Sequence, residues 1–260
     1  MQYNEYKFPL IDKDKLVLKR EQFIKLRENQ EIYADYHYEL AQLFFEEGDV
    51  KNVEKHIDEA LKINSDYLKA QLLKTKLYIE RNNLNKAKEI MKPIREKHND
   101  YADVIYLNAF LYYISENLSN AMIETVKALQ INKFYLDAHL LELAIYYKQR
   151  RLHEIYDKRK VVNQFNIPNI ETEYFYHGLL SYESKQYLSG IYNMELAWLL
   201  GFDFNLCSYN CACFYVLINN YTKAQELFKN CIKDKKETSE IMQQDPDLKE
   251  FIKTNYYLVI

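Results

Sequence analysis

Glycine and proline are scarce, four of each in 260 residues, too few for a loop-rich or all-β chain. Cysteine is equally sparse. Cys207, Cys211, Cys213 and Cys231 form no CxxC pair, so a zinc site has no support, although Cys207 and Cys211 stand one helical turn apart. No apolar run approaches the roughly 18 residues of a membrane span, and the opening MQYNEYKFPLIDKDK lacks the apolar core of a signal peptide. The expectation is a cytoplasmic chain without membrane insertion. Neither sign of charge is in surplus: the net is −3 with both signs interspersed, which argues against nucleic-acid binding by the whole domain. HExxH, GxSxG and a phosphate-cradling glycine loop are all missing. The six histidines, His37, His56, His98, His139, His153 and His177, are scattered along the chain. The chain reads as a non-enzyme needing no cofactor and no metal.

What it has in abundance is a pattern. From Ala102 to Tyr135 the sequence reads as two short amphipathic helices joined by a polar turn, and small or apolar positions recur about 34 residues apart on either side. Ala41, Thr75 and Ala109 share one phase; Val50, Leu84 and Leu118 share the next. Val53, Ala87 and Ala121 follow, then Ala60, Ile94 and Ala128. A period of about 34 is the signature of stacked helical hairpins, and such a stack grows by repetition around no single central core. The 25 tyrosines suit it, because half-buried surface favours a ring with a wet hydroxyl. His37 and His139 fall at equivalent stack-facing positions, which favours packing over ligation. Cys211 and Cys231 fall at core positions, where reduced thiols act as small hydrophobes.

In chain order, residues 1–12 form an arm and a helix over Asp14–Asn29 covers the open end of the stack. Repeats follow at Ala34–Tyr67, with a turn at Glu47-Gly48-Asp49, at Leu68–Tyr101 and at Ala102–Tyr135. The fourth, Leu136–Pro168, is aberrant: Leu143 stands at the small position, Arg159 replaces the Ile57, Met91 and Thr125 of its predecessors, and Lys148, Arg150, Arg151, Lys158, Arg159 and Lys160 cluster around it. At Asn166-Ile-Pro-Asn169 the register slips by one residue, a candidate joint. Glu171–Phe204 and Asn205–Thr238 share the new register through Gly178 with Ala212 and Gly190 with Ala224. A short closing helix follows, with Asp245 as N-cap and Pro246 at its first position. The expected division is 1–33 (arm and capping helix), 34–168 (repeats one to four), 169–238 (repeats five and six) and 239–260 (capping helix and the apolar tail Tyr256–Ile260).

The small residues Ala41, Thr75, Ala109, Ala87 and Ala121, with the aromatics Phe44, Tyr78 and Tyr112, resemble the tetratricopeptide repeat family, here of bacterial type, over about residues 14–252. The late proline of that family's pattern is replaced by Ser65, Asn99 and Lys133. The resemblance implies an all-α, right-handed superhelical solenoid of about six repeats plus capping helices, with the first helix of each pair lining a concave face. It implies a protein–protein interaction scaffold or adaptor holding a peptide or helix of a partner. The expected groove is aromatic: Tyr38, Phe45 and Lys76, then Tyr106, Phe110, Tyr113 and Tyr147, then Phe175, Tyr182 and Tyr209. Tyr106, Phe110 and Tyr113 are expected to be exposed as a set, since exposed aromatic strips mark binding surfaces. The family's carboxylate clamp for chaperone C-termini is rejected, because Tyr38, Gln42, Leu73, Asp103 and Leu107 supply none of its charge. Two alternatives stand beside the scaffold: a regulator gated by a peptide or ligand, and a structural component of a larger bacterial assembly.

Overall fold

A computed structural model describes residues 13–27, 32–231 and 242–254 of the chain. The arm at 1–12 and the tail Tyr256–Ile260 lie outside the described residues, as does the Cys231 side chain. All described secondary structure is helical. A capping helix α1 (Lys13–Leu26) precedes four hairpins: α2 (Ala34–Glu47) with α3 (Val50–Ile63), α4 (Leu68–Glu80) with α5 (Leu84–Lys97), α6 (Ala102–Ile114) with α7 (Leu118–Ile131), and α8 (Leu136–Lys148) with α9 (Leu152–Asn163). Two more follow, α10 (Ile170–Glu183) with α11 (Tyr187–Leu200) and α12 (Phe204–Leu217) with α13 (Tyr221–Cys231), then a 3-10 turn (Pro246–Leu248) running into α14 (Lys249–Thr254). The described residues form two compact units, divided in sequence between Ile167 and Pro168. The fold is an all-α solenoid of tetratricopeptide-like hairpins.

In the first unit each hairpin turns on one residue in the left-handed region. Gly48 (φ 72°), Asn82 (54°), Glu116 (59°) and Arg150 (58°) recur at the repeat spacing. That conformation is easiest for glycine, and asparagine tolerates it. It lets the next N–H reach back over the helix end: Asp49 to Phe44 O, Asn83 to Tyr78 O, Asn117 to Tyr112 O and Arg151 to Tyr146 O, each at 2.9 Å. Free carbonyls at the end of each first helix of this unit find donors in this way. The same residues then cap the second helix. The side chains of Asp49, Asn83 and Asn117 accept the N–H of Asn52, Lys86 and Asn120 at 3.2 Å; such caps contribute about 1 kcal/mol each. Arg151 cannot accept, and α9 starts without a side-chain cap.

Small residues set the helix crossings. Ala41, Thr75, Ala109, Ala60, Ala87, Ala121 and Ala128 are fully buried, so a larger side chain at any of them would force neighbouring helices apart. The buried Thr125 hydroxyl donates to Ala121 O at 2.7 Å within its own helix. The aberrant fourth repeat substitutes polar contacts. Lys158 on α9 pairs with the buried Glu142 on α8 at 2.5 Å and lies 3.1 Å from His139 Nδ1. In repeat one the equivalent pair is His37 with His56, whose Nδ1 atoms lie 3.0 Å apart. The basic cluster of repeat four is largely paired locally: Arg151 with Glu154, Lys160 with Asp157, and Lys148 over the Tyr113 ring. At the open end α1 packs its Phe23 ring on Tyr36 at 5.5 Å, and Arg20 pairs with Glu47 at 2.8 Å.

In the second unit the left-handed turn residues are Lys185 and Asn219. They keep the 34-residue step between themselves, but Lys185 follows Arg150 by 35. The one-residue slip is thus visible in the backbone, and two further left-handed residues, Asn166 and Asn169, flank Pro168 where it occurs. Gly178 and Gly190 occupy the small positions: a Cβ on the first would lie 2.6 Å from Met194, and on the second 2.7 Å from the Phe214 ring. Met242, Leu248 and Phe251 are buried in the closing segment, and the Phe251 ring lies 5.6 Å from both Phe228 and Tyr221. Asp245 caps the 3-10 turn, accepting the Asp247 N–H at 3.0 Å. Cys207 and Cys211 are buried free thiols, and burial, with Asp203 nearby, pushes the Cys207 thiol up to about 12. It is held protonated and unreactive.

Candidate functional site

Within the first unit, α2, α4, α6 and α8 contact one another in succession, while the second helices of adjacent repeats approach less closely. The first helices therefore follow the shorter, inner arc, and side chains not spent on stacking face inward from them. The row that begins each first helix is regular. Tyr33, Tyr67, Tyr101 and Tyr135 stand immediately before α2, α4, α6 and α8, and Asp35, Lys69, Asp103 and Asp137 follow two residues later, all four exposed.

Two of these tyrosines lean back on the preceding repeat. Tyr67 meets Tyr38 edge to face at 5.5 Å, and Tyr135 meets Tyr106 at 5.2 Å. Each ring also comes beside the preceding repeat's aspartate. Burial and then the Asp35 carboxylate raise the Tyr67 hydroxyl, and burial with Asp103, to which it hydrogen-bonds, raises that of Tyr135. Asp137 reaches water yet is flanked by protein, as at the foot of a groove. Its carboxyl is raised by that burial and by the like charge of Asp103, against the pull of Lys76. The result is an inner rim of half-exposed rings and carboxylates, with Lys76 as the nearby cation. A site of this kind favours a cation from outside, through charge and through the faces of the rings.

The expected groove residues divide into three sets. Tyr38, Tyr106 and Tyr147 are half-buried and Lys76 is exposed on this face; Phe45 is half-buried against the repeat-one core. Phe110 and Tyr113 correct the expectation of an exposed trio. They are 8 % and 4 % exposed, because α8 packs directly against α6 and their rings stack with each other at 6.4 Å. Phe175 is also core, 1 % exposed and stacked on Phe202 at 4.3 Å. Tyr182 and Tyr209 are not a free surface, since the closing segment of the same chain meets them: their hydroxyls bond to Asp247 and Asp245. Cys213 lies 3.9 Å from the same Asp245 carboxylate. Tyr67, Tyr135 and Asp137 were missed. Their signal was there, as one residue type recurring at the repeat period at a helix start.

Among the described residues no group of three or more His, Cys, Asp or Glu could hold a metal ion, and no helix is long and apolar enough to cross a membrane.

A tetratricopeptide repeat family model matches residues 29–109. No curated protein matches the sequence. Solved structures resemble the chain in fold. A tetratricopeptide repeat protein from Parabacteroides merdae superposes with a TM-score of 0.55 at 15 % identity, over 96 % of this chain and 94 % of its own. PilF of Pseudomonas aeruginosa gives 0.53 at 11 % identity, over 90 % and 98 %. PilW, a widely conserved type IV pilus biogenesis factor, gives 0.53 at 15 % identity, over 84 % and 98 %. At these identities the likeness is one of fold. The hairpins beyond residue 109 keep the small residues and left-handed turn of the matched stretch, and the described residues as a whole have the fold of a tetratricopeptide repeat protein.

Proposed function

We propose that this protein is a non-enzymatic interaction scaffold whose first unit holds an extended, basic segment of a partner protein along the inner face of α2, α4, α6 and α8. The family and fold support the general role of binding protein partners. The observation that carries the finer reading is the group formed by Tyr106, Tyr135, Asp103 and Asp137, where two rings and two carboxylates converge while remaining open to water. A lysine or arginine side chain offers what this group lacks, and its methylene stem packs on the ring edges. The Tyr38–Tyr67 pair beside Asp35 repeats the arrangement two repeats earlier, so a segment in extended conformation meets two similar sites in succession.

A photo-crosslinking residue placed at Leu72 or Asp103 is expected to capture a partner in the native cell through a Lys- or Arg-containing peptide, identified by mass spectrometry. The same residue at the outward Val126 is expected to capture little. Reversing the exposed charges, Asp103→Lys with Asp137→Lys, should weaken binding of that peptide at least tenfold with helicity unchanged. Equal capture from Val126, or undiminished binding by the reversed variant, removes the inner face from the account.

A further inference from the structure

The junctions between successive repeats in the first unit can be compared position by position, because the register is unbroken from α2 to α8. At the first junction, between α3 and α4, charges match across the cleft. Asp58 on α3 pairs with Lys74 on α4 at 2.7 Å, and Glu54 pairs with Arg81. One repeat later the same positions are Lys88 and Lys92 on α5, with Asn108 on α6 and Ser115, the residue that ends α6, in the phases of Lys74 and Arg81. The sign on the second helix is reversed, and the first helix supplies no carboxylate to meet it. Lys88 and Lys92 are exposed and have no hydrogen bond or ion pair among the described residues.

Between them lies a cleft of about 290 Å³ lined by Lys88, Lys92, Arg95, Glu96, Asn108, Leu111 and Tyr112. Its polar floor is already fixed. The buried Glu124 accepts Arg95 Nε at 2.6 Å, Lys127 Nζ at 2.7 Å and Asn108 Nδ2 at 3.0 Å. Arg95 and Lys127 together exceed the single charge of Glu124 by one, and Glu96, the one carboxylate among the lining residues, matches that excess. Two cations are left over at the mouth, with the Tyr112 ring and Leu111 beside them as apolar wall. By the 100° step of the helix, Tyr112 lies about 180° around α6 from Asp103 and about 120° from Tyr106.

We propose that the α5–α6 cleft is a second docking site, separate from the inner face, for an acidic segment of a partner protein: its Asp or Glu carboxylates take the place at Lys88 and Lys92 that Glu54 and Asp58 show to be complementary at the preceding junction. The occupant is fixed by charge complementarity, since the site presents two lysines one helical turn apart on α5 and no carboxylate from α6 opposite them, whereas its sister junction is charge-matched across the cleft. Two carboxylates spaced along an extended or helical segment meet them together, and the aromatic wall receives the apolar part of the side chains.

Fluorescence anisotropy with a labelled peptide of alternating Glu and Leu, and with its Gln counterpart, tests this on the full chain. The Glu peptide is expected to bind saturably and the Gln peptide at least tenfold more weakly. Lys88→Gln with Lys92→Gln should reduce Glu-peptide binding by about tenfold, whereas the charge-matched control Lys51→Gln with Lys55→Gln on α3 should leave it within twofold. Ser115→Glu, which supplies a carboxylate at the end of α6 in the phase of Arg81, should close the site from within and also weaken binding. Equal losses from both lysine pairs would show a diffuse field rather than a site and overturn the proposal. So would displacement of the peptide by equimolar inorganic phosphate, which would make the cleft a small-anion site.

Discussion

The two units are built from the same hairpin, yet they treat their inner faces in opposite ways. In the unit ending at Ile167 two pairs of rings near the starts of first helices lean on one another and stay half-open, Tyr38 with Tyr67 and Tyr106 with Tyr135. In the unit beginning at Pro168 the equivalent rings are already engaged by the same chain. Phe175, at the phase of Tyr38 after the one-residue slip, is stacked on Phe202, and Tyr209, at that phase one repeat later, bonds to Asp245 of the closing segment. A repeat that ends a stack must cover its outer face, and here the covering segment also takes the inner-face hydroxyls. We therefore propose partner binding for the first unit and self-closure for the second.

The strongest way to break this contrast is to remove the closing segment's anchor. Phe251 is 1 % exposed, between Phe228 and Tyr221, and Phe251→Ala should cost about 3–5 kcal/mol, as for other buried aromatic truncations. The cost should fall on the second unit alone. Hydrogen exchange resolved by peptide is expected to show α12 and α13 losing protection while α2 to α8 keep theirs. Unchanged protection in α12 would mean that the segment lies on the second unit without stabilising it.

A smaller effect separates two glycines within that unit. Gly190→Ala puts a methyl 2.7 Å from the Phe214 ring, a buried aromatic with little room to move. The gain of about 1 kcal/mol in helix propensity is then outweighed by overpacking of about 1–3 kcal/mol. Gly178→Ala meets the far end of Met194, a flexible side chain that can swing aside, so it should be near neutral. Denaturant midpoints of the two variants check this, and the reverse order would show that α11 and α12 are less tightly packed than Phe214 implies.

How much of this was legible in the sequence depended on what repeats. The period fixed the hairpins, the small residues at the crossings and the slip near Pro168, because each leaves one residue type at one phase. Burial depth leaves no such mark. Phe110 and Tyr113 have the phase of an inner face, but how far α8 covers them depends on the tilt between neighbouring helices, which a one-dimensional pattern does not carry. The Tyr182 contact with Asp247 spans 65 residues and occurs once, so no periodicity could announce it. The Lys88 and Lys92 pair was legible in principle, yet it shows only when each junction is aligned with its neighbour and the missing partner is looked for.

The mildest difference between the units is their response to acid. His37 and His56 face each other across α2 and α3 with one Nδ1 donating to the other, an arrangement that disfavours two positive charges. Burial, and then the proximity of His37 and Lys55, pushes the His56 pKa down to about 4, and burial also lowers that of His139 beside Lys158. The unfolded chain takes up these protons near pH 6.5, the folded one only at lower pH. Above pH 6.5 both states are neutral and the pair is without effect; as pH falls from 6.5 towards 4 the unfolded state binds protons first, and folded stability is lost. Both residues belong to the first unit, whereas His177, the one histidine at or beyond residue 168, is exposed beside Glu173. Lowering the pH from 7 to 4.5 should therefore loosen α2 and α3 before α10 to α13, as read by hydrogen exchange corrected for intrinsic rates. His56→Leu, which keeps the packing against Phe44 and removes the titrating ring, should reduce that loss without abolishing it, because His139 still titrates. An undiminished acid response in the variant would shift the cause to the carboxylates of the same unit, of which Glu124, held below the usual range by Arg95, Lys127 and Asn108 despite its burial, is protonated only at still lower pH.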